Sequence, residues 1–282
     1  NVLTITELLT WTGGTMSGSG TTEVGSAAVA QVTGTAVKTL VGGWRLVNRG
    51  TLNVSGRGIE FDLHQNVNGT TLENAGRMNV LDEADITLNP YYDPSRSFVN
   101  HGSLVFSGVG VTNEVRVLFV NDGTVEVQGA GSLLQLSSGW TQDGTMDIPT
   151  GAALWLAGGT IKTGAEGRLT GAGTILFAGG TGTFGGDLGF PGLQRITGGT
   201  WNFNTDYVAV DVEMSGGTLA GTGVFNVTHA LGWTGGTMAG SGTTAIAAGA
   251  EANATGAGVK SLTGGRRFVN QGTLNVSGRG IE

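Results

Sequence analysis

Apolar residues recur at every second position in short runs along this chain, and glycine-rich turns separate the runs. A period of two is the signature of a strand with one buried face. The runs come into register on one glycine, at Gly50, Gly76, Gly102, Gly123, Gly144 and Gly272. Four residues before it stands Leu46, Leu72, Phe98, Phe119, Trp140 or Phe268, and two after it stands Leu52, Met78, Leu104, Val125, Met146 or Leu274. The pattern predicts many short strands.

Within the first run the glycines are spaced 26, 26, 21 and 21 residues apart. A second register, Gly-Gly-Thr, marks Thr15, Thr160, Thr181, Thr200, Thr218 and Thr237, and from 160 onward its steps are 21, 19, 18 and 19 residues. Like residues returning once per coil place like on like, which favours a parallel solenoid over a meander of hairpins. Asn48, Asn74, Asn100, Asn121 and Asn270, with Gln142 in the same place, are therefore expected to form a hydrogen-bonded structural ladder at one corner of the coil. At about 4.8 Å per coil the stack would be on the order of 65 Å long.

A longer repeat overlies the short one. Residues 1–60 align without a gap on residues 223–282, and about 37 of those 60 positions are identical. Gly50 to Glu60 returns unchanged as Gly272 to Glu282. The domain organisation expected is a 222-residue solenoid module, 1–222, followed at 223–282 by the start of the next, continuous with the same stack. Both ends read as ordinary repeat with pairing-competent strand edges, so a longer parent protein is expected.

Composition narrows the classes of function. The chain has 54 glycines, 4 prolines and no cysteine; 39% of its residues are hydrophobic and 12% charged, with a net charge of −7. Glycine lacks the collagen period, and the ordered apolar alternation argues against disorder. An acidic, charge-poor surface is unsuited to nucleic acid. Without cysteine there is neither a disulfide framework nor a thiolate metal site. No apolar run approaches the ~20 residues of a membrane helix, so no membrane insertion by this segment is expected.

Residues 83–97 depart from the pattern and hold two of the prolines. Proline cannot donate within a sheet, so the stretch is expected to leave the solenoid as a protruding loop, with Tyr91, Tyr92, Asp93 and Arg96 as binding candidates. Asp62, Asp82, Asp85 and Asp93 are the only carboxylates grouped closely enough to suggest acid–base chemistry, with Asp82, Glu83 and Asp85 the densest cluster. His64, His101 and His229 are scattered without metal-ligand spacing. Neither a catalytic site, a metal site nor a cofactor is expected. Threonines just after the registered glycine (Thr51, Thr124, Thr145, Thr273) and in the Gly-Gly-Thr series should face solvent, as an ice-binding array would. The next outward position is mixed and partly charged, which favours plain sheet stabilisation.

Gly-Thr-Leu-Asn-Val-Ser-Gly, Phe98-Val-Asn-His-Gly102 and the Gly-Gly-Thr strings resemble bacterial autotransporter passenger regions and the repeats of filamentous-haemagglutinin-like exoproteins. The fold expected is therefore all-β: a right-handed parallel β-helix (β-solenoid) of about 13–14 coils of roughly 18–26 residues. The resemblance implies a secreted or bacterial cell-surface setting. The function expected is a structural or adhesive segment of a long extracellular fibre, with no enzymatic activity. Its expected partners are like modules end to end, in the same or a neighbouring chain, and host or cell-surface glycans or proteins. The alternatives are a carbohydrate-active β-helix enzyme or tailspike-like glycan binder and, third, an ice-binding solenoid.

Overall fold

A computed structural model of the chain describes residues 1–61, 69–88, 96–186 and 188–282. The fold is all-β, with parallel strands stacked as a β-solenoid of about 12 turns and about 21 residues per turn. The count falls below the 13–14 expected. Longer coils, such as the 26 residues from Asn48 to its register partner Asn74, spend residues on connections instead of further turns. The chain divides into two compact units, Asn1–Asp147 and Ile148–Glu282.

In the first unit each turn lays one strand on each of three sheets. Arg45–Asn48, Thr71–Asn74, Ser97–Asn100 and Leu118–Asn121 stack on one; Thr51–Val54, Arg77–Leu81, Ser103–Ser107 and Thr124–Gln128 stack on the next. Every second side chain points inward, and pairing in register puts like beside like. Leu46, Leu72, Phe98, Phe119 and Trp140 form one fully buried column, Leu52, Met78, Leu104, Val125 and Met146 another. Phe98 and Phe119 meet with ring centroids 5.0 Å apart.

The glycine column has a steric cause. A Cβ on Gly102 would run into the carbonyl oxygen of Gly76, and one on Gly123 into that of Gly102. None of the column from Gly50 to Gly144 has a positive φ. Close approach of successive corners, and not a left-handed backbone, keeps these positions glycine.

The second unit stacks Thr160–Thr163, Thr181–Phe184, Thr200–Phe203, Thr218–Ala220 and Gly236–Met238 on one sheet. Opposite lie Thr174–Phe177, Leu193–Ile196, Tyr207–Met214 and Val224–Trp233. The last two are long strands: residues 207–209 pair with 225–227, the register then shifts, and 211–214 pair with 230–233. Phe184, Phe203 and Phe225 join their rings at 4.8 and 4.9 Å along its core. The compact units part at 147/148, inside the 222-residue module. Across 222/223 the stacking runs on within the second unit.

Each copy of the repeat locks one turn with a buried lysine. Lys38 Nζ donates to the carbonyls of Gly34 (2.8 Å) and Thr33 (3.2 Å), and Lys260 Nζ to those of Thr255 and Gly258, both at 3.0 Å. Neither residue is exposed at all. Burial pushes the Lys38 ammonium below the ordinary lysine range, and the Arg57 charge adds to the effect.

Candidate functional site

The amide ladder runs through five coils. Asn48 Nδ2 donates to Asn74 Oδ1, Asn74 to Asn100 and Asn100 to Asn121, each at 2.7 Å, and Asn121 donates to Gln142 Oε1 at 2.9 Å. All five side chains are buried. The second amide proton reaches a strand carbonyl, as Asn74 does to Ser103 O at 3.0 Å. Asn48 Oδ1 has no donor, because its register partner in the coil before is Val24. Asn270 repeats the place of Asn48, with Ile246 as its register partner in the coil before, and its amide bonds to the Gly272 carbonyl and N–H, each at 3.2 Å.

The loop expected at 83–97 needs correcting where it is described. Ile86–Leu88 is a strand and pairs with Ile59–Phe61, so the chain returns to the sheet inside that stretch. Arg96 is only 1% exposed, which removes it from a protruding surface. It directly precedes the strand Ser97–Asn100, whose inward alternation takes it into the interior. Tyr91, Tyr92 and Asp93 lie outside the described residues, as do Asp62 and His64.

Asp82 and Asp85 of the acidic cluster sit in different surroundings. Asp82 is exposed, in a turn with a φ of 57°. Asp85 is part-buried, and its Oδ1 accepts the Glu114 N–H at 2.7 Å. Desolvation raises the Asp85 carboxyl above the ordinary range, opposed by that backbone bond. Among the described residues no group of three or more His, Cys, Asp or Glu side chains is placed to hold a metal ion, and no helix is long and apolar enough to cross a membrane.

A concave surface in the second unit was not legible from motifs. Two adjoining cavities, of ≈190 and ≈400 Å³, open on the outward side of Leu193–Ile196, Tyr207–Met214 and Val224–Trp233 and share Glu213 and Gly232. Glu213 pairs with Arg195 Nε at 2.7 Å and Asp211 with His229 Nδ1 at 2.5 Å, so each of the two carboxylates is paired with a side-chain nitrogen on an adjoining strand. The hollow exists because Gly232 offers no side chain: a Cβ there would meet nothing nearer than Val212 O at 3.9 Å. One signal in the sequence could have found it. His229, Ala230 and Gly232 stand where the first copy has Glu7, Leu8 and Thr10. Those exchanges shrink two side chains and supply the imidazole that Asp211 holds.

The threonines of the Gly-Gly-Thr series form a second regular surface. Thr160, Thr181, Thr200, Thr218 and Thr237 are successive register partners, and all are at least partly exposed. The row two residues on reads Lys162, Thr183, Asn202 and Ala220. Compared with family models, curated proteins and solved structures, the chain matches none.

Proposed function

We propose that the chain is a structural and adhesive segment of a long secreted or cell-surface fibre built from tandem β-solenoid modules. One observation carries this reading: the second copy of the 60-residue repeat starts by stacking directly on the coil before it, with Val224–Trp233 paired along Tyr207–Met214. Such a seam extends a stack by nearest-neighbour contacts and has no intrinsic stop. Like modules end to end are its partners, and the lateral faces are free to display contacts to glycans or proteins. Electron microscopy of the native, full-length protein, with its apparent mass, tests this. Continuous thin filaments much longer than ~65 Å are expected; short rods of a single module would sink the reading.

Glycan binding is the second reading, favoured by the groove around Gly232. Its rim offers hydrogen-bonding carboxylates beside Arg195 and His229. A glycan array probed with the chain and with Gly232→Thr tests it, with binding expected to be lost in the variant.

A further inference from the structure

The outward side chains of one sheet in the second unit form a continuous row. Buried and outward positions alternate through Ala153–Leu156, Thr174–Phe177, Leu193–Ile196 and the second half of Tyr207–Met214. Register pairing then sets Trp155, Leu176, Arg195, Glu213 and Gly232 side by side on successive coils. Four steps of about 4.8 Å make the row about 19 Å long. It lies inside the stack, because residues 230–233 are covered in turn by Glu251–Ala254, and those by Thr273–Val276.

Three kinds of surface follow one another along the row. Trp11, Trp140, Trp201 and Trp233 are buried, whereas Trp155 is part-exposed and stands beside part-exposed Leu176. Next come Arg195 and Glu213, whose side chains are 48% and 55% exposed and joined at 2.7 Å. Last is the hollow at Gly232, whose cavities reach back along the face to Leu193 and Arg195.

We infer that this row is the binding track of a neutral polysaccharide laid across the coils, with Trp155 stacking on one sugar ring and the hollow at Gly232 receiving another. The inference rests on the glycan reading of the groove and enlarges it from one pocket to a line of subsites. A pyranose has an apolar C–H face and a rim of hydroxyls, which call for an aromatic surface and for fixed donors and acceptors. The ion pair holds Glu213 and Arg195 in place before a ligand arrives and leaves the guanidinium with further N–H groups to donate.

Charge and topology select this occupant. The face carries Asp211, Glu213 and, on the next coil, Glu251, against Arg195 and the His229 imidazole, so it disfavours an anionic polymer. Leu193–Ile196 and Tyr207–Met214 are each paired on both sides, so neither offers a backbone edge to a peptide strand.

Titration calorimetry of the full chain with cellohexaose, xylohexaose, mannohexaose and the acidic hexagalacturonate tests the inference. A neutral hexamer should bind, and its dimer, too short to touch both Trp155 and the hollow, should bind at least tenfold more weakly. Trp155→Ala should weaken the hexamer about tenfold, and Trp155→Tyr, which keeps a ring, should restore most of the loss. Unchanged affinity in Trp155→Ala, a dimer as tight as its hexamer, or tightest binding by hexagalacturonate would each overturn the inference. If Gly232→Thr still abolished binding in those cases, the groove would remain a glycan pocket without the track. Binding of none of these oligomers would also overturn the inference, while loss of a glycan-array signal in Gly232→Thr would then uphold the pocket alone.

Discussion

Arg266 holds in residues 223–282 the position that Trp44 holds in residues 1–60, and both donate to the same partner. Trp44 Nε1 reaches Thr22 Oγ1 at 3.2 Å, and Arg266 Nε reaches Thr244 Oγ1 at 2.9 Å. Arg266 also donates to Ala239 O at 3.2 Å and Thr243 O at 3.3 Å. An indole satisfies the threonine through one N–H. A guanidinium must find carbonyls for the rest of its fork, and burial holds its pKa down at about 10.

Replacing Arg266 by the residue its counterpart uses should therefore be benign. Gly242 keeps the glycine over which the Trp44 ring lies at Gly20, so Arg266→Trp has room and sheds a buried charge. The expected change in chemical-denaturation midpoint is neutral to stabilising, by up to ~2 kcal/mol. Arg266→Ala, which leaves Thr244 and two carbonyls unpaired, should destabilise by about 2–3 kcal/mol.

The ladder predicts unequal consequences for chemically equal changes. Asn100 makes buried bonds to ladder neighbours on both sides and also donates to Thr124 O at 3.1 Å. Asn100→Ala should cost about 3 kcal/mol through the partners left unsatisfied in the interior. Asn79→Ala removes a part-buried amide that donates outward to Asn53 Oδ1 at 2.7 Å and should cost under ~1 kcal/mol. Equal losses in the two variants would mean that the ladder contributes nothing beyond an outward amide pair.

Asp85 makes stability depend on pH in a defined direction. Its folded pKa lies above the ordinary 3.8, so the native state binds the proton more tightly than the unfolded chain. The contribution is most favourable below 3.8 and is lost as pH rises through the folded value. Asp85→Asn retains an oxygen for the Glu114 N–H and removes the charge. It should raise the unfolding midpoint at pH 7 and lose that advantage at pH 3, as thermal unfolding across that range will show.

Two glycines separate steric need from vacancy. Gly102→Ala drives a methyl into the Gly76 carbonyl, and relief requires the coils to part, so a loss of about 2–4 kcal/mol is expected. Gly232→Thr places on the surface the residue that the first copy carries as Thr10 and should change stability by less than ~1 kcal/mol while filling the groove. Denaturation of both variants, with a crystal structure of the second, checks the pair.

The stacking of coils, the glycine column and the ladder from Asn48 to Gln142 were legible in the amino-acid sequence. Each is set by a period of two within a strand and a recurrence once per coil, and both are written along the chain. Residues whose role depends on the adjoining coil were not legible. Arg96 reads as a loop residue and is buried by the strand it introduces. The groove arises where side chains from three successive strands face one missing Cβ, at Gly232. Sequence by itself determined which face each side chain takes, since alternation is a local property of the extended backbone. Only the tertiary structure decided which residues meet across coils, because coil length and the shift at Ala209/Asp211 set that register.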